Sequence, residues 1–123
     1  MEISVLIKQP KNYMWNRKKI DSTKMSEIIG GFIDKITLPN HIDIWVNDEG
    51  TGTEELNLFI LWSKDEQQPI FGTAIFAGYD DNGTTISLSD NQYKWIANHL
   101  KLVTTQSGKH VFAIDLMEEG VIA

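Results

Sequence analysis

Hydrophobic residues alternate with polar ones along much of the chain, a period typical of β-strands buried on one face. This pattern predicts strands over residues 2–8, 32–38, 41–47, 84–88 and 110–116. Residues 70–77 are apolar on both faces apart from Thr73, which predicts a central strand covered on both sides. Residues 54–62 fit either a strand or one helical turn.

Two segments have the three-to-four-residue period of amphipathic helices. The first has Ser22 or Thr23 as its N-cap and ends at the glycine pair Gly30-Gly31. The second covers about residues 90–102 and follows Ser89, a good N-cap residue. The predicted core positions are Met25, Ile28, Ile29 and Phe32 in the first helix, and Tyr93, Ile96, Ala97 and Leu100 in the second.

Together these elements predict an α+β fold in one domain, residues 1–123. We expect a single, mainly antiparallel sheet of about five to six strands with two helices. Residues 9–21 are polar and basic and follow no clear period, so they are predicted to form a loop or arm. Residues 109–117 are predicted to add an extra C-terminal strand.

The composition excludes several classes of protein. The 123 residues include no cysteine, which excludes a disulfide scaffold, a zinc–thiolate site and a cysteine nucleophile. No apolar run approaches the roughly 18 residues that span a bilayer. Glu2 stands where a signal peptide has basic residues. We therefore expect a cytoplasmic protein with no membrane segment.

Charge is unevenly distributed along the chain, although the formal net charge is −6. Residues 1–24 contain six basic and two acidic residues, whereas residues 25–123 contain five basic and fifteen acidic residues. Nucleic-acid-binding grooves combine cations with aromatic side chains, and the basic segment interleaves both. Its candidate nucleic-acid contacts are Lys11, Tyr13, Trp15, Arg17, Lys18 and Lys19. The alternative is a solvated loop, because an acidic protein is repelled from polyanions at long range.

A polar cluster, Asn47-Asp48-Glu49-Gly50, follows the strand predicted over residues 41–47. Its acids can contact a cation or a basic partner, but the cluster can also be a simple turn. On the preceding strand, three alternate residues share a face, which suits an interface with a tryptophan anchor. The candidate partner-binding residues are His41, Asp43, Trp45, Asn47, Asp48 and Glu49.

Other motifs do not predict an enzyme. His41 and Asp43 are compatible with a weak acid–base pair or with two metal ligands, but two ligands do not make a metal site. Residues 50–55 begin like a dinucleotide-binding loop, yet Glu55 replaces the third glycine and two acids would repel phosphate. With no serine elbow either, we predict no catalytic residue, no metal and no cofactor.

Two motifs carry a family resemblance: Ile28-Ile29-Gly30-Gly31-Phe32-Ile33-Asp34 and Ile44-Trp45-Val46-Asn47-Asp48-Glu49-Gly50. With Ile70-Phe71-Gly72-Thr73-Ala74 and the helix start Ser87-Leu88-Ser89-Asp90, the chain resembles a small domain-of-unknown-function family carried by phages, plasmids and conjugative elements. The resemblance covers about residues 2–101. The basic residues 11–19 and the tail after Lys101 look like additions to it. It implies an accessory gene product of a mobile element in a bacterial host.

The leading hypothesis is a non-enzymatic protein that binds a host or element-encoded protein. Its most specific form is counter-defence, in which an acidic face occupies the cationic nucleic-acid channel of a host nuclease system. The first alternative is nucleic-acid binding through residues 8–19. The second is small-ligand binding or catalysis near Asn47–Glu49. The oligomeric state is not predicted.

Overall fold

The chain is built mainly from short strands, and the computed structural model describes residues 1–48 and 55–117. The strands are β1 (Glu2–Lys8), β2 (Trp15–Asp21), β3 (Ile33–Leu38), β4 (Ile42–Asn47), β5 (Leu56–Leu61), β6 (Gln67–Phe71), β7 (Ala74–Tyr79), β8 (Thr85–Ile86), β9 (Leu100–Thr104) and β10 (His110–Asp115). The helices are α1 (Met25–Ile29), preceded by the 3-10 turn Ser22–Lys24, and α2 (Asp90–His99).

The strands form two sheets. The large sheet has the order β2-β1-β7-β4-β3, with β8 also paired to β7, and all its pairs are antiparallel. The second sheet has the order β6-β5-β10-β9, in which β10 runs parallel to β5. The predicted α+β class, with an antiparallel sheet of five to six strands and two helices, is confirmed. The second sheet is an addition that the sequence did not predict.

Each face of the large sheet is covered by apolar side chains. On one face, α1 covers a cluster of Ile3, Val5, Ile7, Ile20, Met25, Ile29, Ile75 and Ala77. The other face shares its core with the second sheet and α2, through Leu6, Ile44, Phe76, Ile60, Ile114 and Ile96 among others. Alternate residues of β1 therefore enter different cores, as the two-residue period of a strand requires.

The strand predicted over residues 70–77 is divided between the two sheets. β6 ends at Phe71 in the second sheet, and β7 begins at Ala74 in the large sheet. Gly72 lies between them with φ +76, a left-handed conformation that favours glycine, and its N–H donates to the Glu55 carbonyl oxygen at 2.8 Å. The prediction of one continuous strand was wrong because this glycine turns the chain from one sheet to the other.

The loop predicted over residues 9–21 is largely an edge strand. Trp15–Asp21 forms β2 and pairs with all of β1 in antiparallel register, from Lys8↔Trp15 to Glu2↔Asp21. Backbone pairing overrides the polar composition here, because an edge strand tolerates cationic side chains and needs little apolar surface. Trp15 and Ile20 supply the apolar contacts of this strand.

The two helices differ in detail from their predicted forms. Asp21 caps the turn before α1, since its carboxylate accepts the Thr23 N–H. Ser89 caps α2 as predicted and forms a reciprocal capping box with Gln92. α2 ends at His99, and the chain continues at once into β9, which pairs with β10. Within the described ranges, the helices are too short or too polar to cross a membrane.

Candidate functional site

Lys8, the last residue of β1, is a buried cation with only 2 % of its surface exposed. Its ammonium group donates hydrogen bonds to the Gln9 carbonyl oxygen at 2.6 Å and to Asn57 Oδ1 at 3.0 Å. Asn57 is buried as well, and its amide group donates to the carbonyl oxygens of Lys8 at 2.8 Å and Gly72 at 2.7 Å. This asparagine therefore joins β1, β5 and the sheet-switching turn at Gly72.

The charge of Lys8 has no acidic partner in the part of the chain that the structure describes. None of the ion pairs found within 4.0 Å there includes Lys8. The aromatic rings of Trp15 and Phe112 lie near the ammonium group, each centroid 5.9 Å from Nζ. Burial lowers the pKa of the Lys8 ammonium, because removal from water disfavours the charged form.

A pocket of about 180 Å³ opens beside Lys8. Its polar lining comes from four parts of the chain, namely the end of β1, the β1–β2 connection, β5 and residues 109–110 at the start of β10. The polar side chains are Lys8, Lys11, Asn12, Tyr13, Asn57, Lys109 and His110. We call this cavity the Lys8 pocket. Tyr13 fixes the C-terminal part of the lining, because its hydroxyl lies 3.4 Å from the His110 carbonyl oxygen and its ring meets Phe112 edge-on.

The cations of β2 continue from the Lys8 pocket along the edge of the large sheet. Trp15, Arg17 and Lys19 alternate along one face of the strand, which is the face that carries Lys8 on β1. Arg17 lies over the Tyr93 ring at 3.9 Å, and burial raises the pKa of Tyr93. A shallow depression of about 350 Å³ next to these residues includes Arg17, Lys18 and Lys19.

We call Arg17, Lys18 and Lys19 of β2, together with Lys11 and Lys109, the basic edge. All five are exposed. Lys11 is paired with Glu55 at 3.0 Å, and Asp90 lines the same depression as Arg17, Lys18 and Lys19. The six residues predicted as nucleic-acid contacts all lie in this region, with Tyr13 exposed and Trp15 half-buried against Phe76 and Phe112.

Five of the six residues predicted to bind a partner are described, and these five are not brought together. His41 precedes β4 in a left-handed conformation, with its ring 5.1 Å from Tyr79 and its Nε2 4.0 Å from an Asp81 oxygen. Asn47 ends the same strand, and five residue steps of strand separate it from Ile42 by about 16 Å. The predicted face is therefore split between two ends of β4.

Asp43 is a structural residue of the large sheet. It is 2 % exposed, accepts a hydrogen bond from the Thr37 hydroxyl at 2.8 Å, and lies 3.9 Å from the Lys35 ammonium. Trp45 is half-buried in the cluster beneath α1, and the Lys35 ammonium lies 5.7 Å from its ring. The acid–base pair of Asp43 with His41 is not formed, because His41 turns toward Tyr79 instead.

The acidic cluster at residues 47–50 is described only in part. Asn47 and the exposed Asp48 line a pocket of about 160 Å³ with Asp34, and Asp48 N–H donates to the Phe32 carbonyl oxygen. Phe32, predicted as a core position, is 77 % exposed beside these residues. Glu49 and the glycine-rich residues 50–54 lie outside the described residues. A small-ligand or catalytic role near Asn47–Glu49 stays a prediction.

No three His, Asp or Glu side chains among residues 1–48 and 55–117 are arranged to hold a metal ion. Of the described arrangements, the Lys8 pocket is therefore the one whose side chains indicate most clearly which kind of ligand it could bind. It contains an uncompensated buried ammonium, further lysines and neutral hydrogen-bond donors, which together favour an anion.

Sequence reasoning missed most of the Lys8 pocket. Lys8 was counted as one cation of the basic segment, although its position directly after Ile7 in an apolar strand is a signal of burial. Asn57 gave a weaker signal, as a lone amide within an apolar run. Lys109 and His110 gave none, because they are about a hundred residues away and reach the pocket only through the pairing of β10 with β5.

These features define a small α+β domain of two sheets with a cationic pocket at one end of the large sheet. A family model described as a domain of unknown function, DUF3846, matches residues 1–101, and the chain belongs to this family. The match includes residues 11–19, so the basic segment is not an addition outside the family domain. No match was found among curated proteins or among solved structures.

Proposed function

We propose that the protein binds single-stranded nucleic acid through the basic edge and the exposed ring of Tyr13. The observation that carries this proposal is the gathering of Lys8, Lys11 and Lys109 around one pocket with aromatic rings, with the cations of β2 along the adjoining sheet edge. Single-stranded chains bind to grooves in which cations follow the phosphates and aromatic rings stack on bases. The sequence alone ranked this function second, because an acidic protein is repelled from polyanions at long range and the basic residues were predicted to form an irregular arm.

The overall negative charge does not oppose local binding at short range. At physiological salt, charges separated by more than about 8 Å are largely screened. The basic edge carries five cations, and of these Lys11 has an acidic neighbour at 3.0 Å. We therefore expect modest, strongly salt-dependent affinity, since release of counterions from phosphates drives such binding.

Fluorescence anisotropy with labelled single-stranded and duplex oligonucleotides at 50 and 200 mM salt tests the proposal. A variant with Arg17, Lys18 and Lys19 changed to alanine is expected to bind single strands more weakly. It should also reduce the slope of log affinity against log salt by about 2, because each phosphate contact contributes about 0.7. Circular dichroism would establish that the variant is folded.

The matched control changes Lys24, Lys64 and Lys94 to alanine. All three are exposed and lie outside the basic edge, so the same charge is removed elsewhere. The control should bind single strands as the wild type does. The proposal is wrong if no probe binds at either salt concentration, or if the control loses as much affinity as the β2 variant.

A second proposal is protein binding at the corner formed by Phe32, Asp34 and Asp48. An aromatic side chain that is 77 % exposed next to two exposed carboxylates suits an interface anchor facing a basic partner. The partner would be a host or element-encoded protein, and inhibition of a host nuclease system is the most specific form. A mobile-element origin is part of this proposal, and neighbouring phage, plasmid or conjugation genes would support it.

A pull-down from lysates of defence-positive bacteria, at physiological salt, tests the second proposal. Phe32→Ser is expected to lose a stoichiometric partner, whereas Leu102→Ser, at an exposed apolar residue on β9, should retain it. The absence of a stoichiometric partner across such hosts would overturn this proposal. Retention of the partner by Phe32→Ser would do the same.

A further inference from the structure

The Lys8 ammonium has an unused hydrogen-bond donor at the pocket. A lysine ammonium has three N–H donors, and the acceptors found for Lys8 in the described part of the chain are Gln9 O and Asn57 Oδ1. Trp15 and Phe112 lie near the charge without accepting a conventional hydrogen bond. One donor therefore remains for a group that enters the pocket.

Burial of this charge is unfavourable without a counter-charge. Moving an ammonium group out of water is costly unless an opposite charge accompanies it. Asp43, the other deeply buried charge of the large sheet, has Lys35 and Thr37 beside it, whereas Lys8 has only neutral acceptors. An anion in the pocket would supply the missing charge.

The donors around the pocket suit a tetrahedral oxyanion. Lysines act as point charges toward phosphate, whereas planar carboxylates are best matched by the fork of an arginine. The pocket has Lys8 and Lys109 without an arginine, and the Asn12 amide adds a neutral donor. Because Lys11 is paired with Glu55, the lysines of the pocket with no ion pair among the described residues carry two positive charges, which fits a dianion.

Size restricts the ligand further. Pockets for drug-sized ligands have volumes of about 300–1,000 Å³, and the Lys8 pocket has about 180 Å³. It admits a phosphoryl group but not a complete nucleotide. An internal phosphodiester continues in both directions and carries one charge, so it cannot place its phosphorus deep beside Lys8. A terminal phosphate carries two charges and is attached to the strand through one ester oxygen only, so its other oxygens can enter the pocket.

We propose that the Lys8 pocket binds a phosphate monoester dianion, presented as the terminal phosphate of a nucleic-acid strand. This inference rests on the proposed function for the strand itself, which would continue from the pocket along β2. The phosphoryl group alone can also come from free inorganic phosphate. The two sources are distinguished by the probes below.

The test measures binding of the full chain to inorganic phosphate, to a single-stranded oligonucleotide with a 5′-phosphate, and to the same oligonucleotide without it. A 3′-phosphorylated form of the same oligonucleotide establishes which end is bound. For the wild type we expect at least tenfold tighter binding of one phosphorylated form than of the unphosphorylated strand. Lys8→Met should abolish this preference, whereas Lys64→Met, at an exposed lysine outside the pocket, should leave it unchanged.

Nuclear magnetic resonance of the wild type provides a second measurement that needs no variant. Addition of the phosphorylated strand should shift the side-chain amide signal of Asn57, which contacts Lys8, and the unphosphorylated strand should not. This measurement tests the terminal-phosphate inference if Lys8→Met fails to fold.

Equal affinity for phosphorylated and unphosphorylated strands, with no shift at Asn57, would overturn the terminal-phosphate inference and leave nucleic-acid binding by β2 intact. Binding of inorganic phosphate at Asn57 with no strand bound would overturn the proposed function and make free phosphate the ligand of the pocket. Loss of the phosphate preference in Lys64→Met as well would assign it to general charge and contradict the site.

Discussion

Lys8 and Asp43 are the two buried charges of the large sheet, each 2 % exposed, but their surroundings differ. Asp43 lies on β4 opposite Thr37 of β3, and the Thr37 hydroxyl and the Lys35 ammonium approach it. Lys8 lies at the end of β1, where its hydrogen-bond acceptors are neutral and a pocket adjoins it. A buried charge with its partners in place is part of the folded structure, because loss of one partner is destabilising, whereas a buried charge without a counter-charge is a candidate for binding.

The largest effect is expected at Asn57, which supports the Lys8 region. Asn57→Ala removes three buried hydrogen bonds and leaves two carbonyl oxygens and the Lys8 ammonium short of partners. We expect a loss of about 3 kcal/mol in the free energy of unfolding, measured by urea denaturation. Asn12→Ala, at the pocket rim, should cost less than about 1 kcal/mol. Similar values for the two variants would contradict this role of Asn57.

Asp43→Ala should destabilise the protein by about 2 kcal/mol, because it removes a partly buried hydrogen bond to a charged group. Thr37→Val should cost about 1 kcal/mol, and the double variant should cost less than the sum of the two, since both lose the same bond. Anion and strand binding should be unchanged in each variant. A binding defect in Asp43→Ala would place this residue in the functional site after all.

Lys8→Met should have the opposite profile. Its stability is expected within about 1 kcal/mol of the wild type, because the relief of charge burial offsets the lost hydrogen bonds. Its preference for a terminal phosphate should be lost. If Lys8→Met is as unstable as Asn57→Ala in the same urea titration, the ammonium group is structural and the contrast with Asp43 disappears.

The pH dependence of stability sharpens the same contrast. Since the pKa of Lys8 is lower in the folded protein than its ordinary value of 10.5, the unfolded chain binds more protons between those two pKa values. Wild-type stability should therefore rise relative to Lys8→Met as pH increases through that window. Parallel urea titrations from pH 7 to about 10.5 measure this difference. The pocket groups Lys11, Lys109 and His110 are present in both proteins. A constant difference would show that burial does not perturb Lys8.

The smallest effect is expected at the exposed Asp21, whose charge is stabilised by local hydrogen bonds and not by burial. The Thr23 backbone N–H, then the Thr23 hydroxyl, lower the pKa of Asp21 to about 2. Its contribution to stability is therefore complete above the ordinary carboxyl range and is lost as pH falls toward 2. Asp21→Asn should lack this acid-dependent loss in thermal melts from pH 5 to 2. An identical pH profile in both proteins would contradict the capping role.

For the candidate partner-binding residues around β4, the sequence predicted only part of the geometry. Alternation placed Ile42, Ile44 and Val46 on one face of β4 and Trp45 on the other, and the structure agrees. It could not show that His41 would leave the strand through a positive φ. Nor could it show that Asp43 would find Thr37 across the β3–β4 pair.

The sequence by itself determined the α+β class, the positions of β1, β3, β4, β8 and β10, the Ser89 cap and the separation of charge along the chain. These follow from local periodicity and turn chemistry, which act over a few residues. The second sheet, the switch at Gly72 and the burial of Lys8 were decided only by the tertiary structure. Each depends on pairing between distant segments, above all β5 with β10, and no local pattern specifies which strands will meet.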